Sequence, residues 1–475
     1  MAKNSSPLAK TLPIAFRQTL ADKKAVCLVD GEHYPPVTKW TVDELQKEGA
    51  NIVALVFIGG TEKVENAVEE LGGDSTLWNV YVGGKQKEET LQVIRRVLKE
   101  AKPELVIDLS DEPVLDYRTR FELASHILAH NVSYMGADFI FTPPSMRTIL
   151  KKPSLGIIGT GKRVGKTAVG VTVARLLNRK GFQPLAVCMG RGGPPDPDVV
   201  DASEMELTAE VLLEVAEQGG HAASDYWEDA LLGQVPTIGC RRCGGGMGGN
   251  PFLSNVIEGA EIANELPAQF VIMEGSGATF APVHTDRKLV TVGAGQPLEN
   301  ILDFLGRYRI LISQLAVVTM CEPPMAGSAK VDKIAEGIQR INPQCDVALT
   351  VFRPEPLGDL ADRKVFVATT APEKVADNIK DYLEDTYNCT VTGFSTNLSN
   401  RPVLREDLRD GLENADVLLT EIKAASIDVA AKAAQDEDVQ IIFLHNKPVL
   451  TGGTVENLTN AIVNLCAEAQ TAYGE

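Results

Sequence analysis

Residues 159–167 read Gly-Thr-Gly-Lys-Arg-Val-Gly-Lys-Thr, preceded by the apolar run 154–158 and followed by a helical pattern from Ala168 to Leu177. Strand, small-residue turn and helix in that order make a phosphate-binding loop. Small side chains let successive backbone N–H groups converge on phosphate oxygens, and the helix N-terminus adds positive potential. The expected ligand is a nucleoside triphosphate, held by Gly159, Thr160, Gly161, Lys162, Arg163, Val164, Gly165, Lys166 and Thr167. Lys166 would reach the β- and γ-phosphates, and the Thr167 hydroxyl would ligate Mg²⁺. The loop is a variant: the usual first glycine position holds Thr160, and the glycine sits one residue earlier, at Gly159.

Other residues have types and positions suited to the same chemistry. Glu274 ends the apolar run Phe270–Met273 and precedes Gly-Ser-Gly, where a carboxylate can hold Mg²⁺ or its water shell. A solvated turn carboxylate is the plainer reading. Arg191 lies in the Gly/Pro turn after the strand Leu185–Met189, and suits a bidentate phosphate contact or a solvent-facing turn. The segment 240–250, Cys-Arg-Arg-Cys-Gly-Gly-Gly-Met-Gly-Gly-Asn, is expected to be a mobile loop in which Arg241 and Arg242 grip phosphates. A flexible surface loop is the alternative. Its Cys240 and Cys243 lack a second pair at zinc-ligand spacing. Lys162, Lys166, Arg241 and Arg242 are the candidate catalytic cations. Asp30, Glu32 and His33 follow the first strand, and Arg118 follows the strand Leu105–Leu109; such strand ends bind ligands in parallel sheets. Lys423, after a late strand, completes the candidate substrate contacts, although a lysine at a helix start explains it equally.

The elements that must position these residues alternate. Apolar β-type runs occur at 25–30, 52–59, 79–83 and 105–110, with amphipathic stretches at 42–48, 62–71 and 89–99 between them. This alternation implies βαβ units and a parallel sheet. No Gly-x-Gly-x-x-Gly follows the first strand, so a dinucleotide is not supported. A basic, Pro-containing connector, 143–153, sets the expected boundary between a Rossmann-like domain at 1–150 and a larger P-loop domain at 151–475. In the second part an acidic helix is expected from about 204 to 218. Further strands are expected at 316–320, 347–352, 365–369, 417–420 and 441–444. They allow a smaller α/β subdomain from about 345, with one continuous unit favoured.

Composition narrows the function. A chain of 475 residues, 44% hydrophobic and 23% charged, reads as an ordinary globular protein of two or three domains. The net charge of −18 opposes general nucleic-acid binding. It also gives weight to any local cluster of Arg and Lys, since the long-range field repels anionic ligands. No secretory signal or bilayer-spanning run is seen, and eight dispersed cysteines suit a reducing cytoplasm.

The Gly-x5-Gly-Lys-Thr spacing and the Glu274-Gly-x-Gly turn resemble dethiobiotin synthetase and its relatives. Over most of its length the chain is similar to the cyclic 2,3-diphosphoglycerate synthetase family. The shared features are Val-Asp-Gly-Glu-His-Tyr at 29–34, the midchain phosphate loop and Arg-Arg-Cys-Gly-Gly-Gly at 241–246. The resemblance implies an α/β fold with a dethiobiotin-synthetase-type P-loop domain. It also implies ATP-driven joining of the two phosphates of 2,3-diphosphoglycerate, a small-molecule substrate, by a cytoplasmic enzyme; a homodimer is expected. Two alternatives stay open: another ring-closing synthetase with a carboxylate or carbamate acceptor, and a nucleotide-switch or metal-insertion ATPase. Switch ATPases often carry a second lysine five residues before the P-loop lysine, where this chain has Gly161.

Overall fold

A computed structural model describes residues 6–59, 71, 78–84, 86–201, 208–217, 225–423 and 425–474. The chain divides into two compact units, one of residues 1–144 with 302–312, the other of 145–301 with 313–475.

The first unit is built on β1 (Lys24–Val29), β2 (Asn51–Phe57), β3 (Asn79–Val82), β4 (Leu105–Asp108), β5 (Ser133–Met135) and β6 (Ile140–Phe141), in the spatial order β3-β2-β1-β4-β5-β6. All neighbouring pairs are parallel except β5 with β6. The central strands are continuous apolar runs because helices cover the sheet, and Cys27, Leu55, Phe57 and Ile107 lie in one buried cluster. The chain runs outward from β1 through β2 and β3, then returns to place β4 on the other side of β1. That reversal opens a crevice at the carboxyl ends of β1 and β4. Of the expected helix 62–71, only Leu71 lies among the described residues. The segment 302–312 was not expected in this unit. It is tied there by Ser125 Oγ donating to the Phe304 carbonyl and by an edge-on contact of Phe304 with Phe121.

The second unit carries β7 (Ser154–Gly159), β8 (Pro184–Gly190), β9 (Asp198–Val200), β10 (Thr237–Cys243), β11 (Leu253–Ser254), β12 (Phe270–Glu274), β13 (Arg287–Gly293), β14 (Leu315–Thr319), β15 (Asp346–Pro356), β16 (Lys364–Ala368), β17 (Thr390–Ser395), β18 (Val417–Thr420) and β19 (Gln440–Gly453). Their order is β11-β10-β8-β12-β7-β13-β14-β15-β19-β18-β16-β17, with β9 beside β10. From β10 to β15 every pair is parallel. The long β19 pairs in parallel with β18 through its first residues and antiparallel with β15 through the rest, so the late strands continue the phosphate-loop sheet. The expected acidic helix 204–218 is described as Ala209–Glu217, its first residues lying outside the described ones.

Two departures from the sequence reading concern strands. β13 was missed because Arg287, Lys288, Thr291 and Gly293 dilute its apolar run, yet its last five residues are buried. Residues 240–243 are not loop: they end β10, which pairs with β8 and then with β11. The apolar run Thr237–Cys240 carries the strand forward, and the arginines inherit its pleat.

Candidate functional site

The phosphate loop is pinned from below. All six residues of β7 are buried, and the helix Lys166–Arg179 begins after Gly165, whose φ of +77° suits glycine. A Cβ at Gly165 would also meet Phe352 at 2.3 Å. The Thr160 N–H donates to the Thr291 carbonyl, its hydroxyl to Gln296 Oε1 at 2.6 Å, and the Thr319 hydroxyl to the Val164 carbonyl. This explains the variant motif. At 160 a hydroxyl is used to fasten the loop to β13 and the segment after it. At 159 a Cβ would crowd the Gly277 carbonyl at 2.9 Å, so glycine sits there instead.

Lys166 and Glu274 meet beneath the loop. Register places Glu274 of β12 between Ile157 of β7 and Cys188 of β8. Its Oε2 lies 3.6 Å from Lys166 Nζ, an ion pair rather than a hydrogen bond, and this buried oxygen has no hydrogen-bond partner. Burial, opposed by Lys166 and reinforced by Asp225, pushes the Glu274 carboxyl up to about 7. Burial works against the Lys166 ammonium, but Glu274 outweighs it and the lysine's pKa is raised.

The helix Asp225–Gly233 supplies acids that the sequence reading overlooked. Asp225, Glu228 and Asp229 stand at i, i+3 and i+4, one helical face. Ligand atoms of Asp229, Cys188 and Glu274 lie within 4.8 Å of one another, all three residues buried. The Cys188 thiol donates to Asp229, and burial beside Asp229 and Glu274 holds its pKa well above the usual thiol value. A protonated thiol is a poor ligand, so the donors left for a cation are hard oxygens, which suit Mg²⁺. Burial and Glu274 likewise raise Asp229. Lys423 is engaged with this face: its Nζ donates to Glu228 at 2.7 Å, and Glu228 and Glu421 raise its pKa against burial. A signal was available in the sequence: three acids on one face of an otherwise apolar segment.

The expected arginine pair separates, because adjacent strand residues face opposite sides. Arg242 is 8% exposed and donates to the carbonyls of Gly244 and Ser276 and to the Ser276 hydroxyl. Arg241 is exposed and donates from Nε to the Gly193 carbonyl. Burial and the like charge of Arg191 lower the Arg242 pKa. A Cβ at Gly277 (φ +60°) would lie 3.5 Å from Lys162 Cγ and 3.8 Å from Arg242 Nη2. Lys162 and Arg242 thus flank the turn after Glu274, and Arg191 acts on Arg242 only as a neighbouring like charge. Cys240 is buried and Cys243 exposed.

In the first unit, Asp30 is fully buried at the end of β1. It accepts from the N–H groups of Glu32, His33 and Asp111 and from His33 Nδ1 at 2.7 Å. Burial opposes its charge, but these bonds outweigh it and hold the carboxyl below its usual range. His33 Nε2 lies 3.4 Å from Asp111 Oδ2. Asp108 forms a second knot with Ser110, Arg120 and Tyr134. Glu32 and Arg118 are exposed.

Comparison with known proteins adds the family. Profiles described as the N-terminal, P-loop and C-terminal domains of cyclic 2,3-diphosphoglycerate synthetase match residues 24–142, 154–351 and 356–447. A cyclic 2,3-diphosphoglycerate synthetase of Methanothermus fervidus is 48% identical over 93% of this chain and 96% of its own. Those of Methanothermobacter thermautotrophicus and Rubrobacter xylanophilus are 47% and 44% identical, each over 94% of this chain and over 97% and 98% of their own. The P-loop assignment carries nucleotide binding with it. With profiles for three successive domains and near-complete coverage of these relatives, the chain belongs to the cyclic 2,3-diphosphoglycerate synthetase family.

Proposed function

We propose that this chain uses ATP to convert 2,3-diphosphoglycerate to its cyclic pyrophosphate, releasing ADP and phosphate. The observation that carries this reading is the Lys166–Glu274 pair beneath a phosphate loop whose Lys162 meets Arg242 at the turn after Glu274. One substrate phosphate attacks the γ-phosphorus of ATP; the bond to the β-phosphate oxygen breaks and ADP leaves. The other substrate phosphate then attacks the inner phosphorus of the new pyrophosphate, closing the ring and expelling inorganic phosphate. Each nucleophile is already a deprotonated dianion, so no general base is required.

The difficulty is electrostatic. Two unit charges about 4 Å apart repel by about 4 kcal/mol at an effective dielectric near 20. Lys166 offsets charge on the transferred phosphoryl, while Lys162, Arg191 and Arg242 hold anionic oxygens in line. Thr167 and Glu274 would hold Mg²⁺, with Asp225 and Asp229 behind them; the orphaned Glu274 Oε2 and the oxygen-rich surroundings fit that ion. Mg²⁺ held there would supply charge neutralisation to the phosphates. Asp30 and Arg241 act by positioning, the first holding the His33 turn and the second bracing Gly193. Lys423 steadies Glu228. Glu32, His33 and Arg118 are proposed as further substrate contacts. Eight unpaired thiols, and no helix among the described residues long and apolar enough to cross a membrane, support a cytoplasmic setting, with a homodimer as the proposed assembly.

The test is ³¹P NMR of a mixture of protein, ATP, Mg²⁺ and 2,3-diphosphoglycerate. A cyclic pyrophosphate signal should grow in step with ADP. ADP accumulating at the same rate without substrate, and no cyclic product, would overturn the reading.

A further inference from the structure

The helix that starts at the phosphate loop has a second face turned to a cavity of 460 Å³, within the usual size range for small-molecule sites. Thr172, Arg175 and Arg179 line it from this helix, Glu355 from β15, and His445 and Lys447 from β19. The first turn of the C-terminal helix Leu458–Tyr473 completes the wall.

Its charge runs against the rest of the molecule. In a chain of net charge −18, this cavity gathers Arg175, Arg179 and Lys447 against Glu355 and Glu456. Glu355 is shared between Arg175 at 2.8 Å and Lys447 at 2.7 Å, while no ion pair engages Arg179 among the described residues. The helix N-terminus in the wall adds N–H groups without intrahelical partners, of which that of Asn460 donates to the Asn457 side chain.

His445 adds a separate pointer to a ligand. It is 2% exposed, sits opposite Glu355 in the β15/β19 ladder, and its Nδ1 has no hydrogen-bond partner. The Thr172 hydroxyl donates to the Ala168 carbonyl, so at 2.9 Å it accepts from His445 Nε2. That tautomer leaves Nδ1 as an unused acceptor on a ring that burial keeps neutral. Unused acceptors in a buried position are uncommon; the ring belongs to the cavity wall, and Nδ1 itself is sealed from solvent, so an occupant reaches it only when the side chain turns. Leu176, Leu450 and Ile462 supply apolar wall to the same space.

We propose that this cavity is an effector site for a small hydroxylated phosphate monoester. The phosphate would meet Arg179, Lys447 and the helix N-terminus, with the hydroxylated body toward His445 and the apolar wall. Because four of the wall residues belong to the helix that begins at Lys166, an occupant bears directly on the element that holds the nucleotide.

Glycerol 2-phosphate is a suitable probe, since the reaction neither consumes nor forms it. Calorimetric titration into full-length protein saturated with ADP and Mg²⁺ should reveal one site. The Arg179→Ala/Lys447→Ala variant, altered only at solvent-reached side chains, should bind about tenfold more weakly or worse, as expected for a lost charge-assisted contact. Initial rates should show the probe shifting the KM for ATP in wild type and not in that variant. Lys166→Ala should retain the calorimetric site. Arg179→Gln alone, with melting compared to wild type, guards against misfolding of the double variant. The proposal is overturned by absence of binding at millimolar probe, by binding lost in Lys166→Ala but kept in the double variant, or by binding that leaves the KM for ATP unchanged.

Discussion

Lys166 and Glu274 depend on each other. Removing the ammonium in Lys166→Ala leaves a buried carboxyl with nothing to oppose its desolvation, so Glu274 takes a proton at neutral pH and the site loses a cation and an anion together. Turnover should fall by about 10³-fold, the scale of losing a preorganised transition-state contact. Coupled measurement of ADP and cyclic product checks this; near-wild-type turnover with an unchanged melting curve would remove Lys166 from the phosphate site. Glu274→Gln keeps the shape and deletes the charge. The Mg²⁺ concentration for half-maximal rate should rise about 10–100-fold. An unchanged Mg²⁺ titration would take Glu274 out of the metal's reach. Neither prediction needs more than the motif and the apolar strand before Glu274, and both residues were legible in the sequence for that reason.

Elements decide matters that residue lists leave open. A loop carrying two adjacent arginines suggests a joint grip, but a strand sends neighbours to opposite faces, and β10 is a strand through Cys243. Arg242 ties its guanidinium to Ser276 beside Gly277, whereas Arg241 braces Gly193. Arg242→Ala should therefore lower kcat/KM about tenfold more than Arg241→Ala. Parallel kinetics of the two single variants decide it, and equal losses would restore the joint grip. Helix packing is equally specific. A Cβ at Gly170, in the helix after the loop, would fall 1.8 Å from Glu274 Oε1. Gly170→Ala should cost about 1–3 kcal/mol in overpacking. It should also reproduce the raised Mg²⁺ requirement of Glu274→Gln, and a stable variant with wild-type Mg²⁺ dependence would sink the argument.

At the scale of the molecule, each unit buries a neutral histidine. Burial, reinforced by Arg95 and Arg307, pushes His126 down to about 3, and burial takes His445 down to about 4. An unfolded histidine titrates near 6.5. Below that value the unfolded chain binds a proton that the folded chain refuses, so stability falls as pH drops from about 6.5 toward the folded pKa. The slope is up to about 1.4 kcal/mol per pH unit for each histidine. Urea midpoints between neutral pH and pH near 5 should show this loss, and His126→Gln should make the fall shallower. A parallel fall in the variant would assign acid lability to other groups. The sequence holds six histidines; only the packing marks these two as buried.

Local order of residues was enough to specify the phosphate loop, the parallel sheets and the acid at the end of Phe270–Glu274, because backbone geometry and apolar periodicity are properties of neighbours along the chain. The same local rules missed Arg287–Gly293, whose charged start hides a buried strand. They also gave no reason for Thr160 in a glycine's usual place. That reason lies in Gln296 and Thr291, more than a hundred residues away in sequence. Asp225, Glu228 and Asp229 became site residues only when their helix was laid beside Cys188 and Glu274. Arg175 and Glu355 likewise share a cavity with Lys447 and His445 only because the helix Lys166–Arg179 packs on β19 and β15 pairs with it. Charge and burial act through space: motifs state what a residue can do, and tertiary contacts decide which of them are given the opportunity.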